Sequence, residues 1–236
     1  MNSILQKTLA TIVTENHQAA AIFEKYSLDF CCKGKRTLYD ACVEKNINTE
    51  SIENELNAAL TTEAAKHLPF NEMTEEQLIG HILIHHHFYV KQSMPTIMNH
   101  LEKVAMKHGP HFPFMVEVFQ LFAEIQQDMT SHMHKEEMIL FPRIKQIATA
   151  SAEQKPLPDS GFIQDPVNVM EHEHDMAGII MSKIRVLTNN YTAPEGACTT
   201  FKVAISELKA FEEDLHKHIH LENNILFPKA EKFFLN

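Results

Sequence analysis

A chain of 236 residues with 44% hydrophobic content is long enough to bury a sizeable core, as one large domain or two small ones. The net charge of −10, with lysine and arginine scattered rather than clustered, argues against nucleic acid and anionic membrane surfaces as main partners. Only six glycines occur, and long stretches lack both Gly and Pro, which favours an all-α fold over a turn-rich β architecture. Four cysteines without framework spacing fit a reducing compartment. The N-terminus does not read as a signal peptide and no apolar run approaches the ~20 residues of a membrane span, so the cytoplasm is the expected location.

Residues 1–65 are expected to form a small helical domain. Ile4, Leu5, Leu9, Ile12 and Val13 recur at helical spacing, and Thr37 opens the segment TLYDACVEK as an N-cap. The segment KHLPFNEM (66–73) resembles a linker, which places a boundary near residue 65 and a second domain over 74–236. Thr74 begins T-x-x-Q, a capping-box signature with Gln77 reaching back. Four long helices are predicted, over about 74–106, 113–148, 166–190 and 197–233, with Pro95 kinking the first. The breaks between them carry Pro and Gly.

The strongest signal is an internal repeat. HMHKEEMILFP at 132–142 and HIHLENNILFP at 218–228 both fit H-x-H-x-E-x3-L-F-P. His and Glu four positions apart lie one above the other on a helix face, roughly 6 Å between Cβ atoms, so both reach one metal ion without distorting the backbone. Periodicity then decides which histidines point inward. The stripe Leu83, His87, Val90, Met94, Ile97, Leu101 is apolar apart from its histidine, and so is Val167, Met170, His174, Ala177, Met181, Ile184. His132 shares a face with Ile125, Met129, Glu136 and Leu140; His218 shares one with Phe211, Leu215, Glu222 and Leu226. His134 and His220 sit about 200° around the helix from these and are expected to face outward, as are His81, His85, His86, His172 and His216.

Each half thus contributes one His and one His–Glu pair to the interior of a four-helix bundle. A buried ion pair would account for each His–Glu pair, because an unpartnered buried carboxylate costs several kcal/mol. It would not account for a histidine at the matching level of the other two helices. Metal binding by His87, His132, Glu136, His174, His218 and Glu222 is the reading that covers all six. Mixed imidazole and carboxylate donors suit iron, zinc or manganese, and six ligands exceed the usual four of a structural zinc site. If both glutamates bridge, each metal sees two His and two carboxylate oxygens, and one oxo or hydroxo bridge leaves an open position. Two protein carboxylates are a lean charge set for two irons, which predicts ready iron release.

The bundle resembles hemerythrin-like domains, and nearly the whole chain is similar to the iron–sulfur cluster repair di-iron proteins (the RIC or YtfE/ScdA family). The resemblance rests on FEKYSLDFCCKGKRTL (23–38), SHMHKEEMILFP (131–142), VMEHEHDMAG (169–178) and HIHLENNILFP (218–228). It implies a small N-terminal helical domain followed by a hemerythrin-like four-helix bundle. It also implies that the six residues above bind two iron ions, oxo- or hydroxo-bridged and carboxylate-bridged, and it suggests a homodimer. The implied function is repair of clusters damaged by oxidative or nitrosative stress, with damaged iron–sulfur proteins as partners and the di-iron site as an iron source. Two rivals remain: a nitric oxide reductase, and a module that senses oxygen or nitric oxide.

Cys31 and Cys32 form a vicinal pair in the N-terminal domain. Such a pair does not form a relaxed disulfide. Two packed core cysteines are the plain reading. Lys25, Lys33, Lys35 and Arg36 lie close in sequence and are expected to lower a thiol pKa. By resemblance the pair is a candidate for redox chemistry or metal transfer.

Overall fold

The computed structural model describes residues 4–61 and 70–235. The boundary expected near residue 65, and the first half of the 66–73 segment, lie outside the described residues. The described chain is helical. A 3-10 turn (Ile4–Gln6) precedes α1 (Leu9–Glu15), α2 (Ala19–Lys25), α3 (Leu38–Lys45) and α4 (Thr49–Thr61). Next come α5 (Glu75–His81), a π turn (Ile82–His87) and α6 (Phe88–His108), then α7 (Phe114–Lys135), a π turn (Glu136–Leu140) and α8 (Phe141–Ala152). After α9 (Gly161–Leu187), α10 (Thr199–Leu221) leads through a third π turn (Glu222–Leu226) into α11 (Phe227–Glu231). Among the described residues there is no β-strand, only an isolated bridge between Thr8 and Thr37.

Two compact units divide the chain: Met1–Leu78 with His216–Asn236, and Ile79–Leu215. The second partition point falls inside α10, so one continuous helix contributes to both. In the first unit, Leu9, Ile12, Phe23, Phe30, Leu38, Ile52 and Leu56 are buried and supply the core. Its helices start and stop as their sequences dictate. Thr8 accepts from the Thr11 N–H and Thr37 from the Asp40 N–H, satisfying amides that α1 and α3 leave open. Asn46 ends α3 in the left-handed region at φ 53°. The loop between α2 and α3 is pinned at Gly34, where a Cβ would lie 2.2 Å from the Phe30 carbonyl oxygen and the Ala10 N–H donates to the Gly34 carbonyl at 2.9 Å. The capping box at Thr74 forms as expected: its N–H donates to Gln77 Oε1, and the Gln77 N–H to Thr74 Oγ1.

The second unit is a four-helix bundle. Helix α7 packs against both α6 and α9. The part of α10 within this unit is tied to α6 by His100–Glu207 and to α9 by Arg185–Glu212. Phe122 of α7 meets Phe211 of α10 edge to face, with centroids 5.1 Å apart. The buried stripe Val90, Met94, Ile97, Leu101 and its counterpart Val167, Met170, Ala177, Met181, Ile184 lie where periodicity put them.

Two departures have clear causes. Helix α9 begins at Gly161, not at Pro166, so the proline lies inside it. The carbonyl that Pro166 cannot bond is that of Phe162, and Arg143 Nη1 donates to it at 3.0 Å while its guanidinium lies 4.6 Å from the Phe162 ring centroid. The π turns are the second. In each, an N–H bonds five residues back: Phe88 to Leu83, Phe141 to Glu136, Phe227 to Glu222. Pro142 and Pro228 come two residues after the ends of the last two, where a regular ladder would need the missing N–H and would crowd the carbonyl four residues earlier. The L-F-P tail of each repeat is the sequence cue for the widened turn. In the first long helix the surplus residue moves the inner face, so that Ile82 is fully buried and Leu83 only partly.

Candidate metal centre

Each π turn ends or begins on a predicted metal ligand: His87 closes the first, Glu136 opens the second and Glu222 opens the third. Within the bundle unit, His87, His132, Glu136 and His174 come together. His87 Nε2 and His132 Nε2 each lie 3.3 Å from Glu136 Oε2, and His174 Nε2 lies 3.0 Å from His132 Nε2. All four are buried, and Glu136 and His174 have no exposure at all. In the other unit, His218 Nε2 lies 3.0 Å from Glu222 Oε1, and both side chains are fully buried.

The far nitrogens of two rings decide what the near ones can do. His87 Nδ1 lies 2.7 Å from Glu137 Oε1, and His132 Nδ1 lies 2.9 Å from Glu173 Oε2. An ionised carboxylate only accepts, so each Nδ1 carries the proton and donates. In the neutral ring the Nε2 lone pair then points inward at Glu136, the tautomer a metal ligand needs. Each outer carboxylate is itself held by a lysine: Lys91 Nζ is 2.7 Å from Glu137 Oε1, and Lys135 binds Glu173. Burial pulls the Glu137 pKa upward, but hydrogen bonds from Lys91 and His87 outweigh it and the carboxyl stays below its ordinary range. Glu173 is held at about 2, chiefly by the His132 hydrogen bond, which with Lys135 outweighs burial. Glu137, Glu173, Lys91 and Lys135 escaped the sequence reading. The signal for two of them was present, since Lys91 follows His87 by four residues and Lys135 follows His132 by three.

The outer histidines divide. His85, His134 and His172 are exposed, as expected. His86 is buried, and its Nδ1 lies 3.0 Å from Asp214 Oδ1. His220, expected to face outward, is buried too. The N-terminal segment covers this helix end: the Phe30 ring packs edge-on at 5.7 Å, and Thr14 Oγ1 lies 3.3 Å from Nε2. His216 is covered in the same way and bonds Glu24 at 2.5 Å.

Cys31 and Cys32 have Sγ atoms 3.7 Å apart, with Cys31 buried and Cys32 partly exposed. Asp29 Oδ1 accepts from the N–H groups of Cys31, Cys32 and Lys33, and from the Cys31 thiol at 3.3 Å. The expected lowering of a thiol pKa does not hold for Cys31. Its hydrogen bond to Cys32, its burial and the Asp29 charge push it well above the ordinary value. Two of the four basic residues are engaged elsewhere, Lys25 with Glu55 and Arg36 with Glu44.

Imidazoles backed by carboxylates and turned onto buried glutamates, on helices widened at the ligand positions, define a helical cation-binding protein. The donor set fits a metal of intermediate softness such as iron. Residues 78–230 match the hemerythrin HHE cation binding domain, and residues 5–60 match ScdA_N, a domain of unknown function. The iron-sulfur cluster repair protein YtfE of Citrobacter koseri is 34% identical over 228 residues, covering 97% of this chain and 98% of that protein. The proteins of the same name from Cronobacter sakazakii and Escherichia coli are 37% and 35% identical over 213 residues, covering 90% of this chain and 90% and 91% of theirs. The chain belongs to the hemerythrin HHE cation-binding family and, within it, to the family of the YtfE iron-sulfur cluster repair proteins.

Proposed function

We propose that this protein carries two iron ions held by His87, His132, Glu136, His174, His218 and Glu222, and donates iron in the repair of iron–sulfur clusters damaged by oxidative or nitrosative stress. The observation that carries the reading is the pair of carboxylate-backed imidazoles, His87 and His132, each 3.3 Å from the same fully buried carboxylate oxygen of Glu136. Two arguments extend the ligand set to His218 and Glu222. They are the second copy of the H-x-H-x-E repeat, and the matched cation-binding domain at 78–230 spans all six residues. His132 and His174 would share one ion, because their Nε2 atoms are 3.0 Å apart.

Iron bound there supplies a transferable ion and an open coordination position for a small ligand such as nitric oxide or oxygen. The protein's own work is positional. Glu137 and Glu173 lock two rings, and burial keeps water from the donors. The two carboxylates Glu136 and Glu222 grip lightly against the four to six positive charges of an iron pair, so release is feasible. Damaged iron–sulfur proteins are the partners, as the names of the relatives suggest, and the Cys31–Cys32 pair is the transfer point for metal or electrons. No helix among the described residues is long and apolar enough to cross a membrane. The proposal takes a cytoplasmic homodimer, as the family resemblance implies, as the working form.

The test is reactivation of an enzyme with a damaged cluster. The iron-loaded protein restores its activity, and His132→Ala, loaded in parallel, does not. Equal reactivation by the variant would remove the reading. Catalytic formation of nitrous oxide by the reduced protein, with no acceptor cluster present, would make it a nitric oxide reductase instead.

A further inference from the structure

The two copies of the repeat are chemically alike on the ligand face and unlike on the back. In the first copy the positions two and six residues after the leading histidine are His134 and Met138, both exposed. In the second copy the same positions are His220 and Asn224, and both are engaged by the N-terminal segment. Asn224 Nδ2 donates to the Cys31 carbonyl at 3.1 Å and lies 3.2 Å from His220 Nδ1. Both hydrogens of that amide are therefore placed. His220 Nδ1 accepts one, so in the neutral ring Nε2 carries the proton and faces Thr14 Oγ1.

The partner of Asn224 is not an arbitrary carbonyl. Cys31 C=O belongs to the peptide unit that joins the two cysteines, so any modification of the pair that rotates this peptide pulls on Asn224. Asn224 in turn lies inside the π turn Glu222–Leu226, two residues after Glu222. A π turn interrupts the regular α-helical ladder on either side of it, and such turns recur at functional sites.

We propose that Asn224 is a positioning residue that couples the state of the Cys31–Cys32 pair to metal affinity at Glu222. The inference rests on the reading of Glu222 as a metal ligand. It requires no covalent step. Bulk or charge added at Cys32 turns the shared peptide, releases Asn224 and lets the π turn relax, and Glu222 loses its register.

The experiment is a double-perturbation cycle on the full chain. Ferrous iron affinity is measured anaerobically by chelator competition for the wild type and for Asn224→Ala, each before and after alkylation of Cys32 with iodoacetamide in a Cys42→Ser, Cys198→Ser background. Alkylation weakens iron binding about fivefold in the wild type, a typical coupling between two sites, and has no further effect in Asn224→Ala. Asn224→Asp, with the same shape but one fewer donor group, behaves like Asn224→Ala. Thermal midpoints of the metal-free variants are recorded beside the affinities, and Met138→Ala, at the matching site of the first copy, leaves both the affinity and its response to alkylation unchanged. Equal weakening by alkylation with and without Asn224, or no weakening in the wild type, overturns the proposal. Glu222→Ala, measured in the same assay, separates the two levels: wild-type affinity there refutes the ligand assignment itself.

Discussion

Replacing Glu137 isolates one contribution to metal binding without touching a ligand. Its Oε1 accepts from His87 Nδ1 at 2.7 Å and from Lys91 Nζ at 2.7 Å. Lys91 is about half exposed, so its pairing contributes at most ~1 kcal/mol and its loss matters little. The hydrogen bond to the buried ring is different, because one partner is charged and the site is dry; such bonds are worth about 1.5–3 kcal/mol. Glu137→Gln keeps an acceptor oxygen and the shape but removes the charge, so the loss lies near the lower figure, about tenfold in affinity. Glu137→Ala removes the acceptor and frees the ring to turn, so the loss approaches a hundredfold, the upper range for removing the outer partner of a ligating histidine. Competition with a chromophoric chelator, reading both equivalents of ferrous iron, supplies the measurement. Glu207→Gln is the internal control. Glu207 makes the same contact with His100, 2.7 Å to Nδ1, but His100 is not among the proposed ligands. If Glu137→Ala and Glu207→Gln shift iron affinity equally, or neither shifts it, the argument that Glu137 orients a metal ligand is wrong.

Pro228→Ala restores a backbone donor two residues after the third π turn and allows a regular ladder, which turns Glu222 off its present direction. The metal-free thermal midpoint should hold or rise, since an interior proline costs a helix ~3 kcal/mol, while iron affinity falls at least about tenfold; unchanged affinity would show that the widened turn does not set the ligand. For Cys31, burial and a raised thiol pKa predict slow alkylation at neutral pH, because the thiolate is the nucleophile, and a rate that climbs as the solution becomes alkaline. Mass-spectrometric mapping of iodoacetamide labelling at several pH values checks this, and labelling of Cys31 at the rate of an exposed free thiol at pH 7 would refute it.

The ligand face was legible in the sequence because one inward residue per helical turn leaves a pattern that survives without coordinates. His87, His132, Glu136, His174, His218 and Glu222 all lie buried where periodicity turned them inward. What escaped was set by longer connections. His220 reads as an outer residue of its helix, and the N-terminal segment, with Phe30 nearly two hundred positions away in sequence, makes that outer face an inside. Glu173 reads as a helix-surface carboxylate until His132 and Lys135 of the neighbouring helix are seen against it. The early start of α9 needed Arg143, since only a donor from another helix offsets the proline. The second and third π turns have a cue in the sequence, because Pro142 and Pro228 inside otherwise unbroken helices demand some relief.

The two lysines outside the rings bear on the preferred oxidation state of iron. Lys91 offsets the charge of Glu137 and Lys135 that of Glu173. If the proposed ligands hold iron, the outer carboxylates fix their rings while adding little net negative potential, which leaves the ligand carboxylates to offset the metal charge. A pocket so sparingly compensated disfavours each further positive charge. On the ligand assignment proposed above, it should raise the reduction potential, keep the pair ferrous under mild oxidation, and hold iron in the form that exchanges ligands fastest.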